Sequence, residues 1–306
     1  MYEDINNVNG DPNIAVFEAN ILNQVPVMET NNNIPVPVIA EPVPIADPVP
    51  VITTEISLYM SAPVKTIKNF FNMFESMVNE VKIIFRKNEL YISVVDPAHV
   101  CMINQTLPIR SLLDYRLINT NELELSMDLD KLLKMFKGSD KKDIVTFSYT
   151  DQNDKNLKIS VGSFNHDLTL LDNSLVPGPG KMPVLNFPAA FELDTKTFYN
   201  FLSRAASVTD YITIKTTSTG LNLNAEGDAD KVNMDLDRFA LPYLISNSTH
   251  KSKFAVDYLL NLFKTLKNVY TMVHFEIGDD QPLKIRECID PSNILILLAP
   301  RIDSEV

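Results

Sequence analysis

The chain has 306 residues, 45% of them hydrophobic, with 27 Lys and Arg against 39 Asp and Glu and a formal net charge of −12. That length exceeds the usual single domain, and the apolar content can fill a core in each of two. The acidic balance excludes a protein that binds nucleic acid over its whole surface, because neutralising phosphates needs clustered Lys and Arg.

Residues 1–53 carry prolines at 26, 35, 37, 42, 44, 48 and 50 from Val25 onward and almost no glycine. Proline fixes φ and removes a backbone donor, so an extended, disordered tail is expected, serving as a tether or docking peptide or as an extension with no partner. Glu3 and Asp4 stand where a signal peptide would be basic, and no run of about 18 apolar residues occurs. An intracellular chain with no membrane association is therefore expected.

From Glu55 the pattern changes to short alternating apolar runs, which predict antiparallel strands at residues 55–60, 81–87, 89–96 and 99–107. Between the first two, Val64, Ile67, Phe70, Phe71, Phe74 and Met77 recur at helical spacing. An amphipathic helix over 62–78 is expected, with Pro63 in its first turn. Further strands are expected at 122–127, 144–149, 157–161 and 167–171, with a helix at 129–136. Residues 173–187, dense in Pro and Gly, read as a connector.

The second half repeats this order. A strand at 190–193, a helix at 195–207, strands at 211–216, 220–225 and 231–236, a helix at 254–267 and strands at 271–277, 283–288 and 294–298 are expected. The helix sequence Asp130-Lys-Leu-Leu-Lys-Met-Phe-Lys137 returns as Asp257-Tyr-Leu-Leu-Asn-Leu-Phe-Lys264. Such self-similarity marks a duplicated module. The boundaries drawn are 54–172 and 188–302 for the two domains, with 303–306 as an acidic end.

Cys101 and Cys288 lie in apolar runs and are expected to be buried and unbridged. His99, His166, His250 and His274 have no spacing that suits a metal, so neither metal nor cofactor is expected. There is no phosphate loop, GxSxG or HExxH motif, and hence no catalytic residue. The pairs Asp128/Asp130, Asp228/Asp230 and Asp279/Asp280 fall in turns or at a helix start, where Asp caps backbone donors.

Lys131, Lys134 and Lys137 share one face of their helix, opposite Leu132, Leu133 and Phe136. The other three helices carry Lys65 and Lys68, Lys196 and Arg204, and Lys264 and Lys267. Glu75, Asp128, Asp130, Asp194 and Asp257 lie near helix ends, where the N-terminal ones suit the dipole. The helices are thus net basic inside an acidic chain. By themselves such lysines read as a solvated face.

The closing Leu298-Ala-Pro-Arg-Ile302 followed by acidic residues, Val95-Asp-Pro-Ala-His-Val100 after a strand, the repeated Asp-x-Leu-Leu-x-x-Phe-Lys and Gln281-Pro-Leu283 recur in this order across a duplicated module. With them the chain, over about residues 55–304, resembles DNA sliding clamps of the proliferating cell nuclear antigen family. The resemblance implies an α+β fold of two topologically similar clamp domains, each of two helices packed on antiparallel sheets. It implies no enzyme but a polymerase processivity factor, a homotrimer closing into a pseudo-six-fold ring around duplex DNA of any sequence at sites of replication, in the nucleus of a eukaryotic host.

On that resemblance Lys65, Lys68, Lys131, Lys134, Lys137, Lys196, Arg204, Lys264 and Lys267 face the DNA. A pocket of Val95, His99, Val100, Leu175, Pro177, Pro282, Leu297, Leu298, Ala299 and Pro300 takes short hydrophobic peptides of a DNA polymerase and other proteins, and a clamp loader is a further partner. The subunit edges are Asn165, Asp167, Thr169 and Leu171 on one side and Leu221, Leu223, Ala225 and Gly227 on the other. Pro97 and Ala98 replace two small hydroxyl residues common in the family, and Ile296 and Leu297 replace aromatic ones, so a more aliphatic pocket is expected. Alternatives are a subunit of a heterotrimeric checkpoint-type clamp, a viral processivity factor that closes no ring, a two-metal nuclease built on the Asp pairs, or a scaffold that binds no DNA.

Overall fold

The structure, a computed structural model, describes residues 57–150, 155–288 and 293–302; the proline-rich tail at 1–53 and the acidic end at 303–306 lie outside the described residues. The first half runs β1 (Leu58–Pro63), α1 (Val64–Asn72), β2 (Glu80–Arg86), β3 (Glu89–Val95), β4 (Cys101–Pro108), β5 (Asp114–Leu117), β6 (Glu122–Asp128), α2 (Leu129–Met135), β7 (Ile144–Tyr149), β8 (Asn156–Val161) and β9 (Phe164–Thr169). The second half repeats it as β10 (Ala189–Asp194), α3 (Thr195–Ala205), β11 (Tyr211–Thr216), β12 (Gly220–Glu226), β13 (Lys231–Asp237), β14 (Leu244–Ser246), β15 (His250–Ala255), α4 (Val256–Val269), β16 (Met272–Ile277), β17 (Leu283–Glu287) and β18 (Ile294–Leu298). Even the short 3-10 turns recur, Ile109–Ser111 after β4 and Arg238–Ala240 after β13.

Pairing follows the repeat. The order β5-β1-β7-β8-β9 in the first half matches β14-β10-β16-β17-β18 in the second, and β4-β3-β2-β6 matches β13-β12-β11-β15. One joint breaks the independence of the halves: β18 pairs antiparallel with β4, with Ile296 opposite Ile103 and Leu297 opposite Met102, to make a nine-stranded sheet. Ile103 and Ile296 belong to the continuous hydrophobic core, whereas Met102 and Leu297 are buried outside it, on the opposite face.

The helices pack on one another in the sequence α2, α1, α4, α3. Their apolar faces point to the sheets: Val64, Ile67, Phe70 and Phe71 from α1, and Leu259, Leu262, Phe263 and Leu266 from α4, are all buried. In the second half Phe198, Phe263 and Phe275 meet edge-on or stacked, and Phe191 stacks on Phe275 at 4.7 Å. Asp128 and Asp194 cap α2 and α3, accepting the Lys131 and Thr197 amides at 2.8 and 2.7 Å, while α1 and α4 begin without a side-chain cap.

Several sequence-based boundaries shift for local reasons. Pro63 closes β1 and sits at the N-cap of α1, and that helix ends at Asn72 because the chain tightens into Phe74 N–H to Phe71 and Met77 N–H to Phe74 turn bonds. Phe74 and Met77 nonetheless remain buried. Phe254 belongs to β15, which with β5 and β14 was not anticipated: these strands are short or rich in polar residues, and their alternation is weak. Helix α2 stops at Met135, so Phe136 and Lys137 lie in a turn closed by Gly138 at φ 82°, whereas their counterparts Phe263 and Lys264 sit within α4. Cys288 is exposed just past β17, contrary to its expected burial; Cys101 is buried, and both are free thiols.

Candidate functional site

Two surfaces carry the expected site residues. The first is the outer side of the helical layer. Lys65, Lys131, Lys134, Lys137, Lys196, Arg204 and Lys264 are exposed there, and Lys68 and Lys267 are half-buried. Within the helix bounds only Asp130 and Asp257 oppose them. The positive charges are not equivalent. Lys131 pairs with Asp128 at 3.2 Å and Lys134 with Asp130 at 2.5 Å, and the Lys267 ammonium lies 3.2 Å from the centre of the Tyr199 ring, tying α4 to α3. A hydrogen bond from Lys267 holds the Tyr199 hydroxyl below its usual pKa.

The second surface surrounds the loop between β3 and β4. Asp96 is buried and organises that loop. Its Oδ1 accepts the Cys101 and Val100 amides at 2.6 and 2.7 Å, and its Oδ2 accepts the Ala98 amide at 3.1 Å and the Tyr258 hydroxyl at 2.7 Å. Burial alone would raise the carboxyl's pKa. The hydrogen bonds from Cys101, Tyr258, Val100 and Ala98 outweigh it and leave the pKa lowered. The same bond pushes Tyr258 up to about 12. Because Tyr258 belongs to α4, one carboxylate sets the loop's shape and pins it to the second half of the chain. His99 reaches the required geometry at φ 56°.

Cavities open on both sides of this loop. One of about 840 Å³ is lined by Met77, Val95, Pro97 and His99 and by connector residues Val176, Pro177 and Gly180. The other, about 610 Å³, is lined by Val100, Tyr211, Ala255, Tyr258, Ala299 and Pro300. The closing segment is held between the halves: the Ala299 amide donates to Val100 and the Arg301 amide to Lys253, each at 2.8 Å, with the Arg301 guanidinium 3.6 Å from the Tyr211 ring centre. The surface around the loop is thus grooved, its apolar walls interrupted by charged side chains, Glu75, Glu80 and Lys82 in the first cavity and Asp210, Asp257 and Arg301 in the second; apolar walls with polar anchors are the usual character of a peptide or ligand site.

The structure brings Val95, His99, Val100, Pro177, Ala299 and Pro300 together here and corrects the rest. Leu175 is 76% exposed; the extended connector turns Val176 inward in its place, to 4% exposure. Leu298 lies wholly in the core and Leu297 is buried in the sheet opposite Met102, so neither lines a cavity, and Pro282 is half-buried away from both. Tyr258 and Ala255 were missed, although Tyr258 lies within the repeated helix sequence and Ala255 just before it. Gly180 was missed as well: a Cβ there would stand 3.0 Å from Val95 Cγ2 and 3.2 Å from Met102 Cε, so the connector rests directly on this apolar face.

One expected subunit edge is also corrected. Strand β12 is paired on both sides, with β11 and with β13, and Leu221, Leu223 and Ala225 are buried in the core, so it cannot be an edge; Gly227 lies just beyond it. The free edge is the next strand, β13. Asn165, Asp167 and Thr169 do lie on an edge, β9, whereas Leu171 has left that strand and donates its amide to Ser126 of β6.

With this geometry established, three comparisons bear on it. Residues 60–172 match the family model of the proliferating cell nuclear antigen N-terminal domain. The DNA polymerase sliding clamp of Methanosarcina barkeri is 30% identical over 75% of this chain and 92% of its own length, and that of Methanococcoides burtonii is 28% identical over 78% and 96%. Among solved structures, A. fulgidus PCNA bound to the C-terminal region of FEN-1 is similar, with a TM-score of 0.74 and 24% identity over 81% of this chain and all of the other. The Entamoeba histolytica proliferating cellular nuclear antigen has a TM-score of 0.72 and 16% identity over the same share. A duplicated clamp fold, one basic helical face and sequence relatives along nearly their whole length agree: the chain belongs to the proliferating cell nuclear antigen family of DNA sliding clamps.

Proposed function

We propose that three copies of this chain close into a ring around duplex DNA and tether a DNA polymerase and other proteins to it. The observation that carries this reading is the continuous helical layer, whose basic side chains stand against a net charge of −12 for the whole chain. Weak contacts from long side chains to phosphates hold DNA without reading sequence and permit sliding. Retention then comes from topology, so high affinity is not required. The ring closes by joining β9 of one copy to β13 of the next, which removes two open sheet edges from each chain.

The groove around the Asp96 loop takes short hydrophobic peptides from partner proteins. Its lining by Val95, Val176 and Pro177, with no Trp or Phe, favours aliphatic plugs over broad aromatic ones. A clamp loader opens the ring, and the protein works at sites of DNA replication.

Polymerase extension on a primed circular template tests the reading. Lys65→Glu, Lys137→Glu and Lys264→Glu combined should cut the stimulation at least about tenfold while leaving peptide binding unchanged. Undiminished stimulation would show that the helical face does not meet DNA.

A further inference from the structure

Among the described residues six strands end the sheets: β5, β6, β9, β13, β14 and β15. The repeat sorts them. Strands β5 and β14 are counterparts and both are edges, as are β6 and β15. Only β9 and β13 are edges whose counterparts, β18 and β4, are paired with each other. The internal joint is therefore a template for the open one.

Its register transfers residue by residue. Within the halves, Ile159 lies opposite His166 as Ile285 lies opposite Ile296, and Ile92 lies opposite Gln105 as Leu223 lies opposite Met234. Hence Leu297 corresponds to Asp167 and Met102 to Lys231. Since Leu297 faces Met102, Asp167 faces Lys231 across the open joint. The neighbouring strands extend this row. Lys158 lies opposite Asp167 in β8, and Glu226 lies opposite Lys231 in β12, their charges 3.5 Å apart. Joining two copies completes a row of four charges, Lys158, Asp167, Lys231 and Glu226, that alternates in sign. On the inner face the same register sets Phe164, 71% exposed in the single chain, against Met234.

We propose that Asp167 and Lys231 pair across the joint between β9 of one copy and β13 of the next, and that this pair sets the register of the joint and selects a second copy of this chain as partner. This rests on the clamp reading above. Opposite charges directly across a strand pair stabilise, like charges oppose pairing, and such contacts govern partner choice more than total affinity. Pairing with β8 fixes the faces of β9, so a register one residue off would set outward Asp167 against an inward-facing position of β13 and break the row. Each chain carries both halves of the complement, so no second subunit type is needed.

The test uses the full chain and mass measurement across a dilution series, with a peptide-binding assay alongside. Asp167→Lys and Lys231→Glu should each raise the concentration needed for trimer on the order of tenfold, and the double exchange should recover most of that loss. Peptide affinity should stay constant throughout. Asn165→Cys with Asn233→Cys, which the register places opposite each other, should cross-link copies on oxidation. A trimeric wild type indifferent to both reversals, or a double exchange no better than the single ones, overturns the register alone. A wild type that stays monomeric yet binds peptide overturns the ring with it, and a trimer formed only on adding a different clamp chain overturns self-selection.

Discussion

The joint between β18 and β4 and the open edges β9 and β13 are the same piece of architecture used twice with different chemistry. At the internal joint the outward row reads Lys284, Leu297, Met102, Val95, and the connector rests on Met102 and Val95 through Gly180. At the open edges the equivalent positions are Lys158, Asp167, Lys231 and Glu226. Covalent linkage already fixes who meets whom inside the chain, so those positions are free to be apolar and to seat the connector beside the groove. Between chains the partner must be chosen, and an apolar row on two free edges would invite pairing with any exposed strand. One duplicated module thereby acquires a peptide groove at one joint and a recognition surface at the other.

The largest effect should come from cutting into the core of the internal joint. Ile296→Ala, at a wholly buried position opposite Ile103, should lower unfolding stability by about 2–5 kcal/mol. Val232→Ala, at the equivalent of Ile103 on the half-buried open edge, should cost the dilute monomer under about 1 kcal/mol. Denaturant unfolding of both would erase the distinction if the two losses were equal.

A smaller effect follows from moving one joint's chemistry to the other. Met102→Lys with Leu297→Asp installs the open-edge pair under the connector. The joint should persist, while peptide affinity falls on the order of a hundredfold as the connector that walls the groove loses its apolar seat on Met102. Calorimetric titration that finds unchanged affinity would mean that the apolar row does not support the groove.

The mildest perturbation is acidification. The Asp96 carboxyl has its pKa lowered in the fold, so its stabilising contribution is present above its unfolded value, near the ordinary 3.8, and is lost as pH falls through the lower folded value. Below that range the Val100 and Cys101 amides and the Tyr258 hydroxyl lose a charged acceptor. Asp96→Asn should cost about 1–3 kcal/mol at neutral pH and flatten this acid limb of the stability profile. An unchanged acid limb in the variant would show that other carboxylates control it.

Much of this was legible before any coordinates. Helical spacing of Phe70, Phe71 and Phe74, alternation in 144–149 and 211–216, the unbroken apolar run at 294–298, and the doubled Asp-x-Leu-Leu-x-x-Phe-Lys located most elements and the duplication, because burial on one or both faces leaves its pattern on the chain. The groove was legible through Val95, His99, Val100, Ala299 and Pro300, which lie within two short motifs. Leu175, Leu297 and Leu298 misled because an apolar residue near a site gives no sign of which way it faces. The sequence also could not separate β12 from β13, since both alternate. Composition, charge and periodicity thus determined by themselves that this is a duplicated module of antiparallel strands and basic helices; the clamp fold was an implication of the motifs' resemblance to a family. Which strand stays open, which carboxylate ties the halves together and which row lies under the connector depend on residues far apart in the chain, and only the packing of the two modules against each other decided them.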